Sequence, residues 1–155
     1  SSGICYYLGT KYGPTPLVVG LDDPAYGAFL NWMYFSDATL TFPQTLVLRY
    51  SQLEPEERRN PQVAGDYAKW FLGRLRAVEA ATANGQNLCA GRFTAADIVN
   101  GYALRLAGNI GLAKDFGPNV AAYWARLQER EGYQRAVAAE RKAGVEQNVT
   151  PRVRA

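Results

Sequence analysis

Apolar residues recur every three or four positions along most of this 155-residue chain, which is the spacing of one helix face. The first series is Tyr26, Phe29, Leu30, Met33, Tyr34 and Ala38, and the second is Val63, Tyr67, Trp70, Phe71, Leu75 and Val78. Further helices are expected over residues 95–112, after the Gly117-Pro118 pair and after Gly132. We find no convincing strand pattern, so the sequence predicts an all-α helical bundle.

Proline and glycine divide this pattern into segments. Residues 13–16, GPTP, break any helix that precedes them. We therefore expect a short helical segment over 1–13, a linker over 14–22 and the main all-α unit over 23–144. Asp22 or Asp23 can cap the next helix, with Pro24 at its first position, and Pro43 should interrupt that helix. Residues 145–155 are expected to form a frayed tail.

Residues 93–98, FTAADI, also predict the start of a helix. Thr94 followed three positions later by Asp97 has the form of a capping box, in which each residue bonds the other's backbone N–H. Phe93 and Ile98 stand at the positions of a hydrophobic staple. Asp97 also places negative charge at the positive end of the helix dipole. We therefore interpret Thr94 and Asp97 as a structural cap rather than as catalytic residues.

The composition excludes several classes of function. With 48% apolar and 20% charged residues, the chain is typical of a folded domain. A formal charge of +3 without a basic stripe predicts no nucleic-acid partner. No apolar run approaches the roughly 20 residues of a membrane span, so no membrane partner is expected. The chain has no histidine and its two cysteines, Cys5 and Cys89, lie far apart, so we predict no metal site and inert thiols.

Several segments in order resemble one known family. Residues 88–98, LCAGRFTAADI, look like the segment that opens the central helix of the C-terminal domain of cytosolic glutathione transferases. Residues 31–35, NWMYF, and 120–127, VAAYWARL, are similar to further runs of that domain, as are residues 130–136, REGYQRA, in which Glu131 replaces the usual proline. The resemblance covers nearly all of residues 1–144 and implies the helical bundle of that domain.

The beginning of the chain has its own place in this resemblance. Residues 1–8, SSGICYYL, look like the last helix of the family's thioredoxin-like domain, with the family's glutamate falling just before residue 1. The resemblance implies that the rest of that domain is largely absent from this chain, which would then be the C-terminal portion of a longer protein. In this family the thioredoxin-like domain carries the thiol-activating residue, so no catalytic residue is expected here.

The resemblance also implies binding residues. Ser1 matches the family serine that binds the γ-glutamyl carboxylate of glutathione, and Ser2 is retained because the alignment can slip by one position. Part of the first long helix should wall the electrophile site. Its candidates are Tyr34, Ala38 and Thr41, spaced i, i+4, i+7, and the neighbouring Asp37, while Tyr102 and Leu106 would close the other side of the pocket.

The implied function is conjugation of glutathione, a cosubstrate, to small apolar electrophiles by a cytoplasmic homodimer without a metal. Two alternatives stay open. One is a non-catalytic interaction module, because domains of this type also serve as docking units. The other is a glutathione-dependent isomerase, dehalogenase or lyase on the same scaffold.

Overall fold

The computed structural model describes residues 1–149, which form seven α-helices. They are α1 (Ser2–Lys11), α2 (Tyr26–Phe35), α3 (Phe42–Leu48), α4 (Pro61–Thr82), α5 (Ala95–Asn109), α6 (Pro118–Glu129) and α7 (Glu131–Glu146). Two π-helical segments, Ser36–Thr41 and Arg49–Leu53, flank α3, and short 3₁₀ turns occur at Glu56–Arg58 and Ala113–Asp115. Residues 1–149 contain no strand, so the prediction of an all-α fold is confirmed for them.

Prolines begin two of the helices. Pro61 and Pro118 lie in the first turn of α4 and α6, where a backbone N–H would have no intrahelical partner. Asn60 completes the start of α4 by accepting the Val63 N–H at 3.1 Å. Local sequence therefore decides where these helices begin.

The start of α2 differs from the expectation. The helix begins at Tyr26, two residues after Pro24. Asp23 accepts the Ala25 N–H through Oδ1 at 2.8 Å and the Tyr26 N–H through its carbonyl at 2.9 Å. These two bonds form a turn that precedes the helix. Asp23 therefore stabilises this turn and is not the N-cap of α2, a position that Ala25 occupies.

The interruption expected at Pro43 takes the form of a widened helix turn. Residues Ser36–Thr41 are π-helical, and α3 starts immediately after them. Because Pro43 has no N–H to donate to the carbonyl four residues earlier, the preceding turn loses one α-helical bond. The chain continues through the wider π turn, a feature frequently found at functional sites.

The end of the chain also departs from the prediction by a small amount. Helix α7 continues to Glu146, so it includes the first two residues of the expected tail 145–155. Residues 150–155 of that tail lie outside the described part of the chain. Helix α5 ends at Asn109, three residues before the expected end at residue 112.

Two buried clusters form the core. The central cluster joins α4, α5 and α6 and contains Leu40, Phe71, Leu75, Val78, Leu88, Ala103, Leu104, Ala107, Val120, Tyr123 and Leu127. The second cluster joins α2 to the start of α5 and contains Val19, Phe29, Met33, Cys89, Ala95, Ala96 and Val99. Both clusters use α5, which is therefore the central helix of the bundle.

The segment 14–22 is packed rather than loose. Val19 is buried in the second cluster, and the Leu17 carbonyl accepts the Ala95 N–H at 2.8 Å. Arg92 adds a hydrogen bond to the Pro16 carbonyl at 3.2 Å and an ion pair with Asp23 at 3.5 Å. This segment is fastened to the start of α5 by main-chain and side-chain contacts.

A row of buried polar side chains, here called the polar seam, crosses from α2, α3 and the first π segment to α5. Ser36 donates to the Val99 carbonyl at 2.7 Å, and Asn100 donates to the Trp32 carbonyl at 2.8 Å. Gln44 donates to the Ala103 carbonyl at 3.0 Å. The seam fixes how the helices slide relative to one another, because each bond requires one register.

Candidate functional site

The two candidate serines at the start of α1 have different surroundings. Ser1 is exposed and occupies the N-cap position of α1. Ser2 is buried, and its hydroxyl donates to the Met33 carbonyl at 2.8 Å. The Ser2 hydroxyl therefore fastens α1 to α2, which leaves Ser1 as the serine available to a ligand.

A shallow groove lies between α1 and α2. It has a volume of about 40 Å³ and is lined by Ser2, Gly3, Tyr6, Leu30, Met33 and Tyr34. Tyr34 lies at the edge of this groove and is 65% exposed. Tyr6 and Tyr34 contribute two phenol groups to the groove, and Leu30 and Met33 contribute apolar side chains.

Asp37 brings negative charge to the start of α1. Its carboxylate lies 3.9 Å from the amino nitrogen of Ser1, and its side chain is 47% exposed. Asp37 therefore lies beside Ser1, whose neighbour Ser2 lines the α1–α2 groove together with Tyr34.

The i, i+4, i+7 relation of Tyr34, Ala38 and Thr41 does not describe one α-helical face. Ala38 is exposed like Tyr34, but Thr41 is half-buried and its hydroxyl donates to the Ser36 carbonyl at 2.7 Å. The physical reason is the π segment, whose wider turn changes the angle between successive side chains. Tyr34 and Ala38 are the accessible members of this set.

The two candidates on α5 lie apart from the groove. Tyr102 is 49% exposed and Leu106 is half-buried, and neither lines the α1–α2 groove. Tyr102 precedes Ala103, whose carbonyl belongs to the polar seam. The structure therefore gathers Ser1, Ser2, Tyr34 and Asp37, and it leaves Tyr102 and Leu106 farther along α5.

Thr94 and Asp97 form the capping box that the sequence predicts at the start of α5. The Asp97 carboxylate accepts the Thr94 N–H at 2.8 Å. Both residues are fully buried, away from any groove, which supports a structural role. Phe93 packs against the central cluster with the Arg130 guanidinium 3.5 Å above its ring, while Ile98 is 41% exposed.

The sequence analysis missed Tyr123 as a partner of this cap. Its hydroxyl donates to Asp97 Oδ1 at 2.8 Å from α6. Burial and the neighbouring Asp97 raise the pKa of Tyr123 well above its ordinary value of 10.0. The spacing of Val120, Tyr123 and Leu127 is that of one buried helix face, but no local signal points to the Asp97 carboxylate.

The remaining chemistry of the described residues is sparse. Both cysteines are free, and burial raises the pKa of the Cys5 and Cys89 thiols, which agrees with inert thiols. Within residues 1–149 no group of three or more potential ligands could hold a metal ion. The same residues contain no helix with the length and apolar character needed to cross a membrane.

A second cavity has no counterpart in the sequence analysis. Its volume is about 380 Å³, and it lies where the end of α4 meets α6. Polar residues and Arg126 line it. Its lining residues come from two segments about 35 positions apart, so no local sequence motif predicts this cavity.

Comparison with known proteins gives a structural likeness. No protein-family model matches the chain, and no curated protein matches it in sequence. Among solved structures it resembles Ure2p5 from Phanerochaete chrysosporium, cocrystallised with 1-(S-glutathionyl)-2,4-dinitrobenzene. The identity is 22% and the TM-score is 0.80, over 92% of this chain and 68% of that one.

Two bacterial proteins show the same likeness. A sphingomonad glutathione S-transferase complexed with glutathione is 16% identical, with a TM-score of 0.76 over 90% of this chain and 66% of that one. A glutathione transferase from Pseudomonas putida with bound glutathione disulfide is 18% identical, with a TM-score of 0.74 over 86% and 59%. At these identities the likeness shows the fold.

Proposed function

We propose that this chain, which has a glutathione-transferase-like fold, supplies the electrophile-binding side of a glutathione conjugation site. The observation that carries the proposal is the extent of the fold likeness to a transferase that holds a glutathione conjugate. The nearness of Asp37 to Ser1, whose neighbour Ser2 lines the α1–α2 groove with Tyr34, supports it.

The proposed chemistry is addition or substitution by the glutathione thiolate, which is the nucleophilic form of the thiol. The thiol-activating group would belong to a thioredoxin-like domain outside these 155 residues. This chain would hold the electrophile beside the sulfur, so that it contributes by proximity and orientation. Glutathione is the cosubstrate, and the reaction requires no metal.

Ser1 and Asp37 are the proposed glutathione contacts. An exposed hydroxyl and free N–H groups at the start of α1 suit the γ-glutamyl carboxylate. The Asp37 carboxylate lies 3.9 Å from the Ser1 backbone nitrogen, so a cationic group of a ligand bound beside Ser1 would meet its negative charge. The ammonium group of glutathione is such a cation. Ser2 would support this site through its bond to Met33 rather than by binding.

Tyr34 and Ala38 are the proposed wall for the electrophile, because both are exposed beside Asp37. Thr41, Tyr102 and Leu106 are proposed as outer parts of that wall. An apolar surface with few polar groups would accept many small apolar electrophiles, as binding pockets of this kind do.

The exposed apolar face of α1 fits this arrangement. Ile4 is 67% exposed, Tyr7 52% and Leu8 50%. Large apolar groups in a row are the surface expected where a further protein layer packs. We propose that this layer is the thioredoxin-like domain and that the protein works as a cytoplasmic homodimer.

The test is conjugation of glutathione to 1-chloro-2,4-dinitrobenzene by the natural protein that contains this chain. The thiolate displaces chloride and gives the conjugate that Ure2p5 holds. Ala38→Trp should fill the electrophile wall and raise the KM for the chlorobenzene at least about tenfold, with little change in the KM for glutathione. Asp37→Asn should raise the KM for glutathione, with little change in the KM for the chlorobenzene.

Asn31→Ala, an exposed change on α2 outside the proposed wall, is the matched control and should leave both KM values unchanged. Unaltered kinetics in Ala38→Trp would contradict the assigned wall. Failure of the natural protein to turn over substrate or to bind the conjugate would contradict the proposed function and favour the docking module.

A further inference from the structure

We propose that the cavity between α4 and α6 binds a small organic carboxylate. Its volume of about 380 Å³ lies at the lower end of the roughly 300–1,000 Å³ typical of small-molecule sites. Its lining consists of Thr82, Ala83, Asn84, Gly85, Gln86, Asn119, Ala122 and Arg126. It shares no residue with the α1–α2 groove, so this inference does not depend on the proposed transferase site.

The Arg126 guanidinium provides the charge of this site. Its Nε is buried and has no hydrogen-bond partner, and its Nη2 makes only a long contact of 3.4 Å to the Gln86 carbonyl. Among the ion pairs of residues 1–149, none involves Arg126. A buried donor of a charged group is costly to leave unpaired, so an acceptor is expected beside it.

The other lining groups suit a polar organic molecule. Asn84 and Gln86 carry carboxamides, which can donate and accept hydrogen bonds, while the Asn119 carboxamide already donates to the Glu79 carbonyl at 3.3 Å. Thr82 contributes less, because its hydroxyl already donates to the Val78 carbonyl at 2.8 Å. Hydroxyl or amide groups on the ligand would therefore find partners around the cavity.

Charge distinguishes a carboxylate from a dianion such as phosphate. Glu79 accepts the N–H groups of Asn119 and Val120, both at 2.9 Å, so the start of α6 is already occupied by a carboxylate. Asn119 also lines the cavity, which places that negative charge next to the site. A second negative charge on the ligand would be repelled by Glu79, whereas a single carboxylate matches the planar fork of one guanidinium.

The experiment is a titration of the ¹⁵N-labelled chain with sodium gluconate, a polyhydroxy monocarboxylate, followed by NMR. We expect saturable shifts in the backbone amides of residues 82–86 and in the Arg126 Nε–H signal. Neutral sorbitol should produce neither shift. Arg126→Gln should weaken gluconate binding roughly tenfold or more, because it removes a charge-assisted hydrogen bond. Arg141→Gln, an exposed change on α7, is the matched control and should bind as the parent chain does.

Three results would overturn the proposal. The parent chain could show no saturable shift with gluconate, or Arg126→Gln could bind gluconate as tightly as the parent. Inorganic phosphate could bind at least as tightly as gluconate, which would contradict the charge argument. If Arg126→Gln does not fold, the Arg126 Nε–H signal of the parent chain decides the question.

Discussion

The Tyr123 hydroxyl donates a 2.8 Å hydrogen bond to Asp97 Oδ1 and so joins the middle of α6 to the first turn of α5. The same oxygen accepts the Leu88 N–H at 3.0 Å, and Oδ2 accepts the Thr94 N–H at 2.8 Å. One buried carboxylate therefore holds the loop before α5, the helix cap and a second helix together.

Removal of this carboxylate should cost more stability than an ordinary cap. A helix cap alone contributes about 1 kcal/mol. Because Asp97→Ala also leaves the buried Leu88 N–H and Tyr123 hydroxyl unpaired, we expect it to lower the free energy of unfolding by about 3 kcal/mol. Tyr123→Phe should cost about 1–2 kcal/mol. Urea denaturation measures both, and the double variant should cost less than the sum. Strict additivity would mean that the two side chains are not coupled.

The same pair should make stability depend on alkaline pH. The pKa of Tyr123 is raised in the folded state above its ordinary value of 10.0, so the unfolded chain loses this proton first. Its contribution is therefore fully present below about pH 10 and declines as the pH rises toward the folded pKa. Urea denaturation between pH 8 and 11, about the range that brackets this change, should show a smaller decline for Tyr123→Phe than for the parent. Tyr12→Phe, at a site 71% exposed, should retain the parent's profile.

Gly117 and Glu79 form a second testable pair. A Cβ at residue 117 would lie 2.5 Å from a Glu79 carboxylate oxygen, which caps α6. Gly117 has φ −65°, a value that alanine adopts without strain, so the cost of Gly117→Ala comes from this contact. We expect a loss of about 1–3 kcal/mol by urea denaturation, by analogy with overpacking.

In the background of Glu79→Ala, which itself loses the cap, Gly117→Ala should cost much less. The difference between the two backgrounds measures the clash directly. If Gly117→Ala lowered the free energy of unfolding equally in both backgrounds, contact with Glu79 would not be the cause. Gly132→Ala, where an added Cβ meets no atom within 4 Å, controls for replacing a glycine at the start of a helix.

The thiols should react slowly with iodoacetamide in the folded chain. Burial raises the pKa of both Cys5 and Cys89, so little thiolate is present at neutral pH. Cys89 is 9% exposed and should be alkylated only as the chain opens, while the half-buried Cys5 should react somewhat faster. Mass spectrometry of timed samples distinguishes the two sites. Alkylation of Cys89 at the rate of the urea-unfolded chain would contradict this prediction.

The sequence predicts the local features of this fold well. The Thr94–Asp97 box and the helix start at the Gly117-Pro118 pair depend on neighbours within four residues, and both appear as expected. The interruption near Pro43 was also predicted, because proline always removes a donor. Its conversion into a π segment was not, because the missing donor alone does not specify which kind of turn replaces the lost bond.

The site is harder to predict for the same reason. The resemblance matches Ser1 to the family serine but keeps Ser2, because the alignment can slip by one position. The hydrogen bond from Ser2 to the Met33 carbonyl, 31 positions away, separates the two in the structure. The partnership of Tyr123 with Asp97 spans 26 positions. Contacts at such separations follow from the packing of whole helices, which helical periodicity constrains only to a face.

The polar seam has a consequence for how far this sequence can change. All three of its acceptors are carbonyls of the main chain, at Val99, Trp32 and Ala103. Every amino acid supplies that carbonyl, so substitution at an accepting position leaves the bond available. Only the donor side chains Ser36, Gln44 and Asn100 are chemically specified. A bundle aligned in this way can exchange much of its facing surface without losing its alignment.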